Sequence, residues 1–242
     1  MTTSSLIDEI LDRARACGAT MAGLANVRAV LAAPSAAGRP ALRLPDGARS
    51  VLVLGLAHPE GQPELDWWGG QGGTPGNRIL IGVARALEPW LVDEVGVACW
   101  VLPYHVDKGG VFLKDAAVLA GLGVIGANNL VITPRLGPQV RWKAMLLDLE
   151  PPDRVDGLGD LFDPCAGCSH PCMEACVQEA FARGRFELSR CETQMRRDEA
   201  RAARSAAAGA TARGRERADL PDRVVKYCRA CELACPIGAE RG

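Results

Sequence analysis

The apolar positions of the N-terminal part alternate between helical and strand spacing. Apolar residues recur at helical spacing from Leu6 to Ala14, and Gly18 supplies a stop signal, so the pattern predicts a first helix. A short strand is expected over residues 20–27, followed by an Ala-, Pro- and Gly-rich loop over 32–47. The continuous apolar run Val51–Ala57 is typical of a strand buried on both faces. We therefore expect this run to form a central strand.

Helices and strands continue to alternate up to about residue 149. A helix is predicted from a cap at Asn77 to about Val95, with Pro89 dividing or kinking it. The further elements predicted are a strand over 97–102, a helix over 111–122, and strands over 129–133 and 139–149. Prolines and glycines then mark a linker, and the chain beyond it is rich in cysteine. The pattern predicts two domains, residues 1–158 and 159–242.

Composition and charge narrow the range of partners. The chain has 242 residues, an apolar fraction of 48% and a formal net charge of −1, which is typical of a packed globular protein. A near-neutral charge gives no overall attraction to nucleic acid or to an anionic membrane. The N-terminus lacks the pattern of a signal peptide, and no apolar run has the length of a membrane span. We expect a cytoplasmic protein without membrane contact.

The cysteines carry the strongest chemical signal. Seven of the ten lie in the runs Cys165–Cys176 and Cys228–Cys235, and Cys191 lies between them. In a reducing compartment such spacing indicates metal ligands. The run of four, together with a second run ending in Cys235-Pro236, is typical of two-cluster ferredoxins, in which one cysteine of each run crosses to the other cluster. The predicted sets are Cys165, Cys168, Cys172 and Cys235 for one [4Fe–4S] cluster, and Cys176, Cys191, Cys228 and Cys231 for the other.

Other interpretations of the cysteines stay open. Eight thiolates also suit two zinc sites, and His170 is either a substitute ligand or a loop residue. Cys168 and Cys172 are separated by three residues instead of two, and Val177 stands where ferredoxins have proline. Cys17 and Cys99 are interpreted as ordinary buried cysteines.

The segment Gly121–Gly126 matches G-x-G-x-x-G, which in a strand-to-helix context would indicate dinucleotide binding. Here a predicted helix precedes the glycines and a predicted strand follows them, so the order is reversed. We therefore reject the dinucleotide interpretation.

From Asp107 through Ala120-Gly-Leu-Gly-Val-Ile-Gly-Ala-Asn128 and into the cysteine runs, the chain resembles the cobalamin-dependent epoxyqueuosine reductases and their relatives, the reductive dehalogenases. The resemblance covers roughly residues 97–242. It implies an α+β fold, with a nitroreductase-like cobalamin-binding domain and a C-terminal two-cluster ferredoxin-like module. It also implies cobalamin as a cofactor. The residues expected near the corrinoid are Gly121, Leu122, Gly123, Val124, Ile125, Gly126 and Asn128.

The same resemblance implies a catalytic residue and an activity. Asp107 lies thirteen positions before Ala120, which is the spacing of the family's acidic proton donor. Tyr104 and His105 are alternative donors, since reductive dehalogenases use a tyrosine. Electrons would pass from two [4Fe–4S] clusters to the corrinoid cobalt of a reductase that acts on a small molecule. An external ferredoxin- or flavodoxin-type donor would supply them.

Departures from the family pattern shape the expected substrate. Val124 and Ala127 stand where the family has Trp and Lys, and the chain ends soon after Cys235, without the helical repeats that full-length members use for tRNA. With no basic surplus either, we do not expect tRNA as the substrate.

Two alternative functions are an electron-transfer or corrinoid-reducing protein without its own substrate, and a zinc-stabilised module whose Arg196–Arg217 arm binds an acidic partner. A cavity lined by Leu102, Asp107 and the glycine turn would argue against the first.

Overall fold

A computed structural model describes residues 3–37, 43–67, 73–151, 158, 162–211 and 228–238. The strands are β1 (Met21–Asn26), β2 (Ser50–Ala57), β3 (Cys99–Val101), β4 (Val124–Ile125), β5 (Val131–Ile132) and β6 (Val140–Leu147). The α-helices are α1 (Thr3–Ala16), α2 (Val27–Leu31), α3 (Pro75–Pro89), α4 (Leu113–Leu119), α5 (Pro171–Glu174), α6 (Leu188–Thr211) and α7 (Ala230–Leu233). The predicted linker and part of the Arg196–Arg217 arm lie outside the described residues.

The main sheet has the strand order β1-β2-β6-β3, and its pairings are antiparallel. β2 lies inside the sheet, between β1 and β6, so the prediction of a central strand from the apolar run Val51–Ala57 is confirmed. Leu52 and Leu54 pack in a core with α1 and α3, whereas Val51 and Val53 pack in a second core with α2 and α4. Because helices cover both faces, every position along β2 is apolar or small.

The predicted start of α3 needs correction, whereas its predicted division is confirmed. Helix α3 begins at Pro75, and its cap is Thr74 rather than Asn77, because the Thr74 hydroxyl accepts a hydrogen bond from the Asn77 N–H at 3.4 Å. Proline at the first helical position needs no backbone donor, which favours this earlier start. The predicted division at Pro89 is confirmed, since a π-helical turn over Trp90–Val95 continues the chain from there.

Helix α4 leads into a small hairpin formed by β4 and β5. The helix predicted over 111–122 is shorter, and Gly121 adopts a φ of 72° directly after it. The strand predicted over 129–133 is reduced to Val131–Ile132, because Asn129 adopts a φ of 58° in the hairpin turn. The glycine segment therefore joins a helix to a hairpin.

The cysteine-rich part packs against the turn that follows this hairpin. Gly137 and Gly238 both have positive φ and lie backbone to backbone. A side chain at Gly137 would overlap the Ile237 carbonyl, and one at Gly238 would overlap Leu136. The close approach places the residues after Cys235 against the α/β part. Of the helices that the structure describes, none has the length and apolar character needed to cross a membrane.

Candidate metal and cofactor site

The structure separates the eight predicted ligand cysteines into two groups. Burial raises the pKa of Cys172, and the neighbouring thiols of Cys235 and Cys165 raise it further. Burial raises the pKa of Cys231 to about 12, and the thiols of Cys228 and Cys191 add to the shift. We call the sets the first thiol group (Cys165, Cys168, Cys172, Cys235) and the second thiol group (Cys176, Cys191, Cys228, Cys231). The crossover pattern assigns the same two sets to two clusters, and that assignment stays a prediction.

The donor chemistry of each group fits a metal centre built from thiolates. Four thiols are the donor set of a [4Fe–4S] cluster, and they also suit zinc. The described residues contain no set of three or more His, Cys, Asp or Glu side chains placed to hold a single metal ion. Burial raises the pKa of Cys191, Cys228 and Cys235 as well, so a metal that binds these thiols would have to displace their protons.

Backbone N–H groups point at sulfur in both groups. Ala127 donates to Cys165 Sγ at 3.3 Å, and Ala180 donates to Cys176 Sγ at 3.3 Å. Such hydrogen bonds tune the potential of a bound cluster. The first bond also joins the end of the glycine segment to the first thiol group. His170 lies in this region, and its backbone N–H donates to Cys168 Sγ at 3.4 Å.

The glycines are explained by packing of the hairpin. A Cβ at Gly123 would lie 2.5 Å from the Ile132 carbonyl oxygen, and a Cβ at Gly126 would overlap the Ile132 side chain. The prediction of a helix before the glycines and a strand after them is confirmed, and with it the rejection of a dinucleotide fold. A bulkier residue at either position would separate β4 from β5.

Asn128 connects this hairpin to the second cysteine run. It is 2% exposed, its Oδ1 accepts from the Leu130 N–H at 3.1 Å, and its Nδ2 donates to the Cys231 carbonyl at 3.4 Å. Leu122 and Val124 are half-buried, whereas Ile125 is exposed. Residues 127 and 128 thus contact both cysteine runs, one through a sulfur and the other through a backbone carbonyl.

The three candidate proton donors lie on the loop between β3 and α4. Asp107 occupies a short 3₁₀ turn over Val106–Lys108, and Asp107, Tyr104 and His105 are all exposed. The Tyr104 and His105 rings meet edge to face, with centroids 5.4 Å apart. This loop precedes α4 and the glycine segment follows it. The seven residues of α4 span about 10 Å, so the two segments lie at opposite ends of one short helix.

Exposed apolar side chains lie on both of these segments. Tyr104, Val106 and Ile125 are 51%, 36% and 44% exposed. Large apolar side chains gain free energy when a ligand covers them. Leu102, whose place in the wall of a cavity would have argued against an electron-transfer protein, is buried, and its carbonyl accepts from Lys143 Nζ at 2.6 Å. Burial lowers the pKa of this lysine.

Sequence analysis missed a buried network of charged side chains, which we call the Asp66 network. Its members are His58, Asp66, Arg141, Arg229 and Glu232. Asp66 is fully buried, and it accepts hydrogen bonds from Arg141 Nε at 2.6 Å and from Arg229 Nη1 at 2.7 Å. His58 Nδ1 lies 3.0 Å from Asp66 Oδ2. Burial alone would raise the pKa of Asp66, but the hydrogen bond with His58 and the charge of Arg141 outweigh it and hold that pKa below its usual value.

The Asp66 network fastens the second cysteine run to the main sheet. Arg229 lies between Cys228 and Cys231 in sequence, and its Nη2 donates to the His58 carbonyl at 2.6 Å. Its Nε also donates to Glu232 at 2.8 Å. The only sequence signal was the placement of Arg229 and Glu232 three residues apart around Cys231. Asp66 and Arg229 are too distant in sequence for any local pattern to pair them.

No family model matches the chain. A curated relative, an epoxyqueuosine reductase from Bacillus cereus, is 26% identical over 156 residues, which cover 60% of this chain and 39% of the relative. A solved epoxyqueuosine reductase bound to an epoxyqueuosine-modified tRNA-Tyr stem loop matches with a TM-score of 0.64 and 18% identity, over 99% of this chain and 67% of the other. The Bacillus subtilis enzyme, solved with its catalytic aspartate loop swung out of the active site, matches with a TM-score of 0.61 and 18% identity, over 99% of this chain and 67% of the other.

These comparisons correct one prediction and support another. The expectation that tRNA is not the substrate is wrong, because a structural neighbour of nearly the whole chain is seen with a tRNA stem loop. The argument failed because net charge is summed over the whole surface, whereas nucleic-acid binding depends on local charge and contacts. The chain is similar to the epoxyqueuosine reductases in sequence and in fold, which confirms the resemblance that its glycine segment and cysteine runs predicted.

Proposed function

We propose that the chain is a reductase that depends on two [4Fe–4S] clusters and cobalamin. The observation that carries the proposal is the separation of eight cysteines into two groups of four, one of which accepts a hydrogen bond from the end of the glycine segment. The similarity to epoxyqueuosine reductases supports the activity class. In this proposal residues 1–158 form a nitroreductase-like corrinoid-binding domain, and residues 159–242 form the two-cluster module.

Each part of the chain has a separate task in this mechanism. When bound, the clusters supply single electrons and the corrinoid cobalt supplies two-electron chemistry. The first and second thiol groups would hold the clusters, and the Asp66 network keeps the second cysteine run against the sheet. The segment Gly121–Asn128 and the exposed side chains of Tyr104, Val106 and Ile125 would contact the corrinoid. The Ala127–Cys165 hydrogen bond fixes the distance between this segment and the first thiol group.

Asp107 is the proposed proton donor. It lies on an exposed loop next to the β3 end, and the Bacillus subtilis relative carries its catalytic aspartate on a loop that can swing out of the active site. In this proposal the exposed Asp107 would stand in such an outward position. On closure, the Asp107 carboxyl would give its proton to the substrate as a general acid. Tyr104 and His105 on the same loop are the alternative donors.

The substrate class to test first is a tRNA stem loop that carries epoxyqueuosine, because a structural neighbour binds one. Anaerobically reconstituted protein is incubated with a low-potential chemical reductant and this stem loop, and the modified base is followed by mass spectrometry. We expect loss of the epoxide oxygen. Asp107→Asn should lower the rate about 10²- to 10⁴-fold. Asp93→Asn, at an exposed position on the π-helical turn, is the matched control and should leave the rate unchanged.

The outcome also separates the alternative functions. An unchanged rate in Asp107→Asn, with a large loss in Tyr104→Phe or His105→Gln, would transfer the donor role to that residue. Protein that binds both clusters but no corrinoid would instead be an electron-transfer protein. Protein that binds zinc alone would be a zinc-stabilised module.

A further inference from the structure

Lys114, in the first turn of α4, is held against the hairpin turn that contacts the second cysteine run. Its Nζ donates to the Asn129 carbonyl at 2.6 Å and lies 5.9 Å from the centroid of the Phe186 ring. The neighbouring Asn128 donates to the Cys231 backbone. Phe186 lies between Cys176 and Cys191 in the chain. Contacts on two sides therefore fix the position of this amine.

Two of the proposed cluster ligands are among the groups that act on the pKa of Lys114. The side chain is half-buried, and burial lowers the pKa of its amine. The groups that act in the opposite direction and favour the charged form are the thiols of Cys191 and Cys231 and the carboxylate of Asp115. Both of these thiols belong to the second thiol group.

We propose that Lys114 sets the reduction potential of the cluster held by the second thiol group, an inference that rests on the function proposed above. A cluster bound by four thiolates is negatively charged, and it becomes more negative when it accepts an electron. A fixed cation in a partly buried site stabilises that added charge more strongly than it would in water. Net charge and nearby hydrogen bonds are known levers on cluster potential. Lys114 thus makes the second cluster easier to reduce.

Arg229 and Lys114, two positive charges linked to the second cysteine run, differ in whether they pair with a carboxylate. Arg229 is paired with both Asp66 and Glu232, so its charge is offset by carboxylates close at hand. Lys114 instead donates to a neutral carbonyl, and the Asp115 carboxylate that acts on it forms no ion pair with it among the described residues, so its charge is only partly offset. Removing the Lys114 charge should therefore change the potential of the second cluster while leaving the docking of its ligands in place.

The test is a redox titration of reconstituted Lys114→Gln, followed by electron paramagnetic resonance, beside Lys114→Arg and Lys108→Gln. Lys108 is exposed on the preceding loop and is the matched control. In Lys114→Gln we expect one cluster to become harder to reduce, by on the order of tenfold in the equilibrium constant, or about 59 mV for one electron. The other cluster should keep its potential. Lys114→Arg and Lys108→Gln should match the wild type.

Two results would overturn this role. One is a Lys114→Gln protein with its full iron content and both potentials unchanged. The other is loss of iron from the second cluster in both Lys114→Gln and Lys114→Met but not in Lys114→Arg, which would make the residue structural. Failure of the wild type to bind any cluster would instead refute the proposed function itself, so the two failures are distinguishable.

Discussion

The two thiol groups are attached to the rest of the molecule by different kinds of contact. The first group meets the hairpin through backbone, with the Ala127 N–H on Cys165 and the close approach of Gly137 and Gly238. The second group is instead linked to charged side chains, because Arg229 of the Asp66 network lies between two of its cysteines and Lys114 bonds the hairpin turn that contacts Cys231. The attachment of the first thiol group therefore depends on the close fit of backbone segments, whereas the attachment of the second thiol group depends on charged side chains. Single substitutions of charged residues should affect the second site far more than the first.

The largest expected effect concerns which cysteines share a cluster. Because Cys235 lies with Cys165 although it follows Cys231 closely in sequence, Cys235→Ala should remove the first cluster alone, and with it about four of about eight irons. The double variant Cys165→Ala/Cys235→Ala should lose no more iron than either single variant. Cys165→Ala/Cys231→Ala should lose both clusters. Iron and sulfide analysis with electron paramagnetic resonance provides the measurement.

Additive iron loss in Cys165→Ala/Cys235→Ala would show that these two cysteines serve different clusters, and the crossover grouping would be wrong. Cys99→Ala is the control. Cys99 is buried in the apolar core beside the sheet, so its removal should leave the iron content unchanged.

The next largest effect is expected from loss of the buried charges of the Asp66 network, which fastens the second thiol group to the main sheet. In Asp66→Asn, the buried Arg141 and Arg229 lose the Asp66 carboxylate that they share. Breaking a buried ion pair from one side costs about 3–5 kcal/mol, which corresponds to an apparent Tm lower by roughly 6–20 °C. Differential scanning fluorimetry in one buffer checks this. Iron should be lost first from the second cluster on warming.

Asp12→Asn is the matched control for Asp66→Asn. Asp12 pairs with Arg15 on the surface of α1, where its side chain is 77% exposed. Surface pairs contribute only about 0.2–1 kcal/mol, so the apparent Tm should hardly change. Equal changes in the two variants would contradict the view that burial gives the Asp66 network its strength.

The smallest effect concerns the backbone contacts of the hairpin. In Gly123→Ala the new methyl group meets the Ile132 carbonyl oxygen, and overpacking of this kind costs about 1–3 kcal/mol. Gly82→Ala, in α3 with open space around the new methyl group, should instead raise stability by about 0.5–1 kcal/mol. We therefore expect Gly123→Ala to lower the apparent Tm and Gly82→Ala to raise it. A stabilised Gly123→Ala would refute the packing role of this glycine.

Local patterns predicted the features that depend on neighbouring residues in the chain. The apolar run Val51–Ala57 predicted the central strand, and the reversed context of Gly121–Gly126 predicted a helix before the glycines and a strand after them. The start of α3 was missed because the Thr74-Pro75 pair forms a better helix start than Asn77. The Asp66 network was missed because its members come from β6, two loops and α7, and tertiary contact alone brings them together. Lys114 was missed for the same reason.

The central claim is that the two thiol groups hold two iron–sulfur clusters that serve a corrinoid. The most direct measurement is the iron, sulfide, zinc and corrinoid content of the full chain purified without oxygen and then supplied with cobalamin. The account predicts about eight irons and about eight sulfides per chain, the content of two [4Fe–4S] clusters, with one tightly retained corrinoid. About two zinc ions per chain with no labile sulfide, or full iron with no retained corrinoid, would contradict it.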